Sequence, residues 1–419
     1  MKKSLYYILS ISICFFFYVS CSFNSTRNKE SEDNGLYVIN LDSIRYSKHP
    51  FLYSTIYKNI KTIFLETNDS CLIGDISKIR TCDQHIYILD DRIAKSLLVF
   101  DMNGRFIRRI GAVGGGPGEF VEPSDFTIDK ENKTIYILDD PSQRINKYSL
   151  VSGGFINSIN LDRNAKSYHI ECVGGKLYAD AYFFKHSKDN YLLRGIREPS
   201  GTGDGHFLNV MKYNKGLSNT TIIGNDPFYL RENNHAIFVQ QFMDFIIEID
   251  GDKISPLFTI KSNDVFSSKD IKEFEELSKN VITGYPEIDL KIWKSGKYHS
   301  ISDYIEHKNL VLFTCMKGPA ILHILFDKLT YETNKFANWK DDLLLRKQGD
   351  DYPSLRSAIH VGCYDSNGVY YYYSMGSEYL AEIKKMAQEN ALSSDLDRLE
   401  NLKRLDDNAN PIIFYYEFK

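Results

Sequence analysis

Apolar and polar residues alternate along most of this 419-residue chain in short runs, separated by Asn-Gly, Gly-Gly, Gly-Asp and Pro-Gly pairs. Alternation of period two predicts half-buried strands, and turn pairs of this kind predict hairpins between them. One spacing organises the runs. IYILDDRIAKSLLVFDMNGRFIRRI (86–110) lies above IYILDDPSQRINKYSLVSGGFINSI (135–159) at a constant offset of 49, matching Ile-Tyr-Ile-Leu-Asp-Asp, a glycine, a Phe-Ile pair and a final Ile. A period near 50 with several strands per unit predicts a β-propeller rather than a helical solenoid.

Each unit divides into strands A to D. GDISKIRT, HIYILDD, SLLVFD and RFIRRI form the first, and PSDFTID, KTIYILDD, RINKYSL and GFINSINL the second. Asp83-Gln84 turns A to B, and Asn103-Gly104 turns C to D as the pair a type I′ hairpin prefers. SYHIECVGGKLYADAYF supplies A and B of a third unit, AIFVQQF, FIIEID and ISPLFTI supply B to D of a fourth, and SDYIEHKNLVLFTCM with AILHILFD fits a fifth. IHVGCYDSNGVYYYYSM and NPIIFYYEFK give A, B and C of a sixth. The sixth lacks strand D, and LYVINL or KTIFLET near the N-terminus is available to fill it, so that strands from both ends close the ring and remove its free edges. The expected fold is therefore all-β, a six-bladed propeller spanning 36–419. Two helical insertions interrupt it, near 267–282 and 377–406. The second carries Leu380, Ile383, Leu392, Leu396, Leu399 and Leu402 at helical spacing, with Ser394 and Asp397 placed as a variant capping box.

The two ends of the N-terminal region have a different character. Two lysines, an apolar run from Leu5 to Val19, Ser20 and Cys21 read as a signal peptide over 1–20, too short to span a bilayer comfortably. Residues 21–35 are polar and cannot bury enough surface to offset their ordering entropy, so they read as a tether. The formal net charge of −4 becomes about −6 once Lys2 and Lys3 leave with the leader. A mildly acidic body without a basic block excludes nucleic acid and anionic membrane surfaces as expected partners. Cysteines 71, 82, 172, 315 and 363 form no C-x-x-C. Cys71 and Cys82 would stand about 35 Å apart in continuous strand, so they pair only if the chain doubles back.

Several residues are candidates for chemistry. GAVGGGPGEF (111–120) lacks the Gly-Lys-Ser/Thr of a P-loop and is followed by a strand, so its glycines read as a turn between blades, with an anion nest of backbone N–H groups as the alternative. Asp90-Asp91 and Asp139-Asp140 end two B strands at one register, as structural Asx turns would. Lys95 and Arg144 share a register and are expected to pair with carboxylates. In an A-down, B-up, C-down, D-up propeller the B-to-C and D-to-A connections open on one face, which gathers Asp91, Arg92, Glu119, Asp140 and the long insertion. Long loops on a rigid scaffold carry function. Asp125, His169 and His360 lie on inner strands, where side chains converge near the central channel. No His-x-His or His-Glu-x-x-His spacing supports a metal site, and the 29 tyrosines and 26 phenylalanines follow from β propensity.

The stretch GGGPGEFVEPSDFTIDKENKTIYILDDPSQRINKYSL resembles an NHL repeat, with Pro117, Gly118, Phe120, Pro123, Tyr136, Asp139, Arg144 and Ile145 on the family's positions. Ser20-Cys21 resembles the lipobox of bacterial lipoproteins, with Tyr18 where an aliphatic residue is usual. Taken with the C-terminal strand, the chain is similar to the six-bladed propeller lipoproteins of Gram-negative envelopes. That resemblance implies lipid attachment at Cys21, a place in the cell envelope, and membrane contact through the anchor alone. The expected activity is a binding or interaction module acting through the long-loop face, monomeric, without catalysis or cofactor, for a small molecule, glycan or protein. Two alternatives stay open. One is a hydrolase or lyase resembling the propeller lactonases or NHL-type lyases, with a divalent cation in the channel near Asp125, His169 and His360. The other is an accessory subunit of a glycan-capture complex.

Overall fold

The computed structural model describes residues 32–33, 36–47, 49–161, 167–180, 191–197, 206–212, 226–231, 234–239, 241–278, 280, 284–336, 338–349, 359–373 and 376–419. Cys21 and the leader lie outside the described residues. Six antiparallel sheets radiate from a common axis, each with four strands A to D ordered from the inside outwards. Blade 1 comprises Lys78–Cys82, His85–Asp90, Ser96–Asp101 and Phe106–Ile110. Blade 2 comprises Asp125–Asp129, Thr134–Asp139, Arg144–Ser149 and Phe155–Asn160. Blade 3 is built from Ile170–Val173, Lys176–Asp180, Tyr191–Arg197 and His206–Lys212. Blade 4 is Phe228–Arg231, His235–Phe238, Phe245–Asp250 and Lys253–Lys261. In blade 5 the strands are Tyr298–His307, Leu310–Lys317, Ala320–Asp327 and Thr333–Phe336.

Blade 6 takes Ile359–Tyr364, Gly368–Tyr373 and Ile412–Phe418 from the C-terminal part of the chain and Tyr57–Phe64 from the N-terminal part. The closing pair is antiparallel from Ile412↔Phe64 to Phe418↔Tyr57. Of the two segments available for this role, the one containing KTIF is used. The other has a different job: Leu36–Asn40 lies parallel to the outer strand of blade 4, with Tyr37 opposite Phe258. The chain then adds Arg45–Ser47 in parallel to the outer strand of blade 5 before entering blade 6. This N-terminal strap covers the open backbone edges of two blades, which would otherwise be templates for foreign strands.

Packing closes the ring independently of hydrogen bonding. Among the described residues, one apolar cluster fills each of the six junctions between neighbouring blades, from Ile63, Ile88 and Ile413 between blades 6 and 1 to Tyr57, Leu312 and Tyr416 between blades 5 and 6. The 49-residue period has a structural cause here. Gly104 and Gly153 occupy the same repeat position, both at positive φ (83° and 73°). A Cβ on Gly104 would run into the Phe64 carbonyl oxygen, and one on Gly153 would lie 2.8 Å from Ile110 Cδ1. Each glycine lets a C-to-D turn press against the outer strand of the preceding blade. Only Gly104, not Asn103, takes positive φ, so this turn is not type I′. Instead Asp101 Oδ1 accepts from the N–H groups of Asn103 (2.8 Å) and Arg105 (2.9 Å).

The first insertion is a helix pair, α1 (Ser268–Ser278) and α2 (Gly284–Ser295). Its second helix escaped the periodicity because Leu290 and Trp293 are exposed while Ile288 and Ile292 are buried, which spreads apolar residues round the helix. The second insertion joins strands B and C of blade 6 and breaks into α3 (Gly376–Gln388) and α4 (Leu399–Lys403). Its leucine stripe packs into the blade 5–6 cluster. The capping box does not form. Asp397 accepts instead from the N–H and hydroxyl of Thr62, at 2.8 and 2.9 Å, and so grips the closing strand. The five described cysteines are free thiols.

Replacing Gly104 by Ala should destabilise the fold by about 1–3 kcal/mol, the scale of a strained backbone position. Gly115→Ala, which meets nothing within 4 Å, should leave the urea midpoint unchanged.

Candidate functional site

Strands A line the axis, and alternation aims every second side chain inwards. Three consecutive blades use this to place polar-apolar-polar triplets at the start of strand A: Lys78-Ile79-Arg80, Asp125-Phe126-Thr127 and His169-Ile170-Glu171. With Asp226 of blade 4 they form a buried charged plug. Lys78 Nζ lies 2.9 Å from Asp125, 3.2 Å from Asp226 and 3.8 Å from Glu171. Arg80 Nη2 reaches Glu171 at 2.5 Å and Asp226 at 2.6 Å. Thr127 donates to the other oxygen of Glu171. Asp125 also accepts from the Ile170 N–H at 2.7 Å, and Lys78 donates to the Ile170 carbonyl at 3.2 Å. Backbone and side chain thus lock blades 1, 2, 3 and 4 around one axis.

At the rim of the plug His169 and Asp226 keep 20 % and 19 % of their side-chain surface exposed. His169 Nδ1 stands 2.9 Å from Asp180 Oδ2. Burial pulls the imidazole down, but the Asp180 charge and hydrogen bond, with Asp125 and Asp226 behind them, raise its pKa to about 8. Burial raises the Asp125 carboxyl despite the facing Lys78. Asp226 is penalised by burial too, yet Lys78 and Arg80 hold it well below the usual carboxylate range. Counting Lys78, Arg80 and a protonated His169 against Asp125, Glu171, Asp226 and Asp180 leaves one negative charge in excess.

The other candidates are bound up in the loops that carry them. Ser77 donates its hydroxyl to Asp91, and Asp90, the residue before it, accepts the N–H groups of Gly74 and Ile93 at 2.7 and 2.8 Å. Arg92 is a surface side chain 3.7 Å from Asp75. Gln143 donates to Asp140 at 2.8 Å. Lys95 pairs with Glu122 at 2.9 Å and Arg144 with Asp139 at 3.2 Å. In the glycine loop Gly116 N–H donates to Glu119 Oε2 at 2.7 Å, and a Cβ on Gly114 would collide with that carboxylate. The chain's own Glu119 therefore sits where a bound anion would. His360 is on strand A of blade 6 with its ring 5.6 Å from that of Tyr372. Asp125 and His169 are brought together; Asp91, Arg92, Glu119 and Asp140 stay in their separate loops. Lys78, Arg80, Glu171 and Asp226 escaped the sequence reading, although the repeated polar-apolar-polar triplets could have revealed the first three. No group of three or more His, Cys, Asp or Glu among the described residues is arranged to hold a metal ion.

Two open clefts stand away from the plug. One, of about 510 Å³, lies where the A-to-B hairpins of blades 4, 5 and 6 meet, lined by Arg231, His235, Glu306, His307, Lys308 and Tyr364. Arg231 bridges Glu248 and Glu306, the latter at 2.9 Å. The His307 ring stacks on Phe418 at 4.0 Å, and burial lowers its pKa. The second cleft, about 560 Å³, opens between blades 6 and 1 beside Asp83, Asn103, Asp365, Tyr370 and Tyr415.

Lys78→Met leaves buried carboxylates without their counter-ion, and should cost about 3–5 kcal/mol in urea unfolding. The pKa of His169 is raised on folding, so its contribution is complete below the unfolded value near 6.5 and is lost as pH rises through about 8. Stability should fall across that window by about 1–2 kcal/mol, and His169→Asn should flatten the slope between pH 6.5 and 8.

Comparison with known proteins yields fold and family. No curated protein matches the chain in sequence. Among solved structures, a protein of Bacteroides fragilis NCTC 9343 described as a candidate for export superposes with a TM-score of 0.69 at 18 % identity, covering 91 % of this chain and 99 % of that one. A member of the duf4221 family from Bacteroides vulgatus ATCC 8482 gives 0.47 at 12 % identity, covering 87 % and 97 %. The family model described as a domain of unknown function, DUF4934, matches residues 36–417, the whole propeller, and the chain belongs to that family.

Proposed function

We propose that this protein is a non-catalytic binding module held at the bacterial cell envelope by a lipid on Cys21, and that it recognises its ligand at the cleft formed by the A-to-B hairpins of blades 4, 5 and 6. The observation that carries this reading is the neutralisation of the channel from within. Lys78 takes the centre of the carboxylate cluster that a metal-dependent enzyme would need for its ion, and His169 is committed to Asp180. Of the loop-face candidates, Asp91, Glu119 and Asp140 are likewise engaged within their own loops. Of the two clefts that remain open to a ligand, the one at blades 4, 5 and 6 sets cations, a carboxylate pair and an aromatic hydroxyl around about 510 Å³, a volume suited to a small polar molecule or a short glycan.

The leader pattern ending at Ser20-Cys21 supports export and acylation, and the export description of the Bacteroides fragilis structure agrees with it.

An array of neutral and acidic glycans tests the ligand class. Binding by the wild-type chain that disappears in His307→Ala/Lys308→Ala supports the cleft, and a blank across both sugar classes removes the glycan. Metal analysis tests the module itself: a stoichiometric divalent ion that is lost on His169→Ala would overturn it in favour of an enzyme. Cys21→Ala should abolish incorporation of a fatty-acid label.

A further inference from the structure

The cleft between blades 6 and 1 is walled by turns from separate parts of the chain. Blade 1 contributes the turns 83–84 and 102–103, blade 6 the turn 365–367 with Tyr370 and Tyr415, and the second insertion Arg398. One of these turns is unusual. Asp83 and Gln84 both take positive φ, 47° and 62°, in a two-residue hairpin whose counterpart in blade 3 is Gly174-Gly175, at 56° and 72°. Glycine meets that conformation at least cost. Blade 1 nevertheless keeps a carboxylate and a carboxamide there, both exposed on the cleft wall.

The charged groups of the cleft are mostly engaged with partners of their own. Lys61 meets Glu417 at 2.5 Å and Lys130 meets Asp83 at 3.2 Å. Asp365 accepts the N–H groups of Asn367 and Gly368 at 2.8 and 2.9 Å, and Asp397 holds Thr62. Only Arg398 has no ion pair among the described residues. The groups left free are of another kind. The side-chain amides of Gln84, Asn103 and Asn367 and the hydroxyls of Tyr370 and Tyr415 form no hydrogen bond among the described residues. Each of these five groups both donates and accepts. Tyr370 lines the cleft at 3 % exposure, and a polar group on so deep a residue is satisfied by water or a ligand when the protein supplies no partner. Its ring packs against that of Tyr415 at 4.6 Å, and with Met102 the pair gives the wall an apolar part.

We infer that this cleft is a binding site for a neutral, polyhydroxylated ligand, a short oligosaccharide, held by the three side-chain amides and the two tyrosine hydroxyls. A sugar hydroxyl donates and accepts at once, and so matches groups that do the same. An anion would find Arg398 as its one free cation, and a cation would compete with the partners the carboxylates already have. The volume of about 560 Å³, with an apolar wall and a few convergent polar groups, is that of a small-ligand site. The site does not rest on the cleft at blades 4, 5 and 6. Asp365 lines both, however, so a longer chain crossing the blade 6 turn would touch the two together.

An array of neutral and acidic oligosaccharides, followed by titration calorimetry of the full chain with the neutral sugars it retains, tests the site. Asn103→Ala/Asn367→Ala, at two exposed positions, should weaken such a sugar by about tenfold or more, and Tyr370→Phe, which removes a single oxygen, by about tenfold at most. Gln84→Gly should weaken it as well while the thermal midpoint holds or rises, because glycine relaxes the left-handed turn; a purely structural Gln84 would not separate the two readouts. Thermal unfolding checks that every variant is folded. Loss in Asn103→Ala/Asn367→Ala with retention in His307→Ala/Lys308→Ala supports the site, and so does loss in both, which marks one chain spanning the two clefts. A blank for neutral sugars, binding of acidic sugars alone, or binding that the variants of this cleft leave intact would overturn it. Where His307→Ala/Lys308→Ala abolishes that intact binding, the cleft at blades 4, 5 and 6 holds the sugar by itself.

Discussion

The pairing of Tyr57–Phe64 with Ile412–Phe418 is the constraint on which the molecule depends. A ring of sheets with one open seam would expose a backbone edge and leave the junction between its first and last members unfilled. Supplying the last outer strand from the opposite end of the chain turns a linear array into a closed object, and links residues about 350 positions apart. The seam is reinforced more heavily than a regular junction needs. Tyr57 and Tyr371 share a hydrogen bond of 2.8 Å between hydroxyls, Tyr416 donates to the buried Asp341, and Asp397 caps Thr62 on the outer side. The broken helical insertion is thus part of the lock, since its leucines fill the same cluster.

The axis poses the opposite problem. Six inner strands converge there, and the side chains of three of them are charged. Burying an ion pair is costly unless geometry and further hydrogen bonds compensate for desolvation, and here every carboxylate of the plug has a cation or a backbone N–H within hydrogen-bond reach. What the charges provide is register. Lys78 and Arg80 hold carboxylates from blades 2, 3 and 4 at once, so a strand slipped by one residue would point apolar groups into the cluster and charges into the interblade core. The plug is best understood as the part of the fold that fixes how blades 1 to 4 are rotated about the axis, and its pH response follows from two groups, His169, raised to about 8, and Asp125, raised to about 6.

Much of the architecture was legible because it is repetitive. The 49-residue offset reports a real equivalence, Gly104 with Gly153 and Asp90 with Asp139, in which each pair does the same structural work in adjacent blades. Strand existence could be read from alternation even in the later blades. What escaped notice lacked either property. The N-terminal strap belongs to no repeat, so Leu36–Asn40 and Tyr57–Phe64 looked interchangeable as closing strands, and only the packing of Tyr57 among the blade 5 and 6 aromatics separates them. Helix α2 has apolar residues on its exposed side. Site residues were harder still, because a charged residue inside a strand reads as a solvent-facing position until the convergence of six blades is known. Asp125 and His169 were singled out for lying on inner strands; their partners on blades 1 and 3 become visible only when the three triplets are laid side by side, and Asp226 of blade 4 belongs to no triplet.

The strap also orders how the N-terminal part of the chain approaches the seam. Glu32–Asp33 pairs with Tyr37 and Leu36, and Leu36–Asn40 lies parallel on the rim of blade 4, anchored by Leu41 N–H to the Lys261 carbonyl at 2.8 Å and by Asp42 to Ser262 and Asn263 at 2.6 and 2.7 Å. Next come the short pairings with blade 5, and only then the closing strand. Along the chain the strap stands between the N-terminal side and the seam as a series of edge contacts on blades 4 and 5. Placing two edge-covering segments ahead of the closing strand removes two strand edges from solvent before the ring is closed.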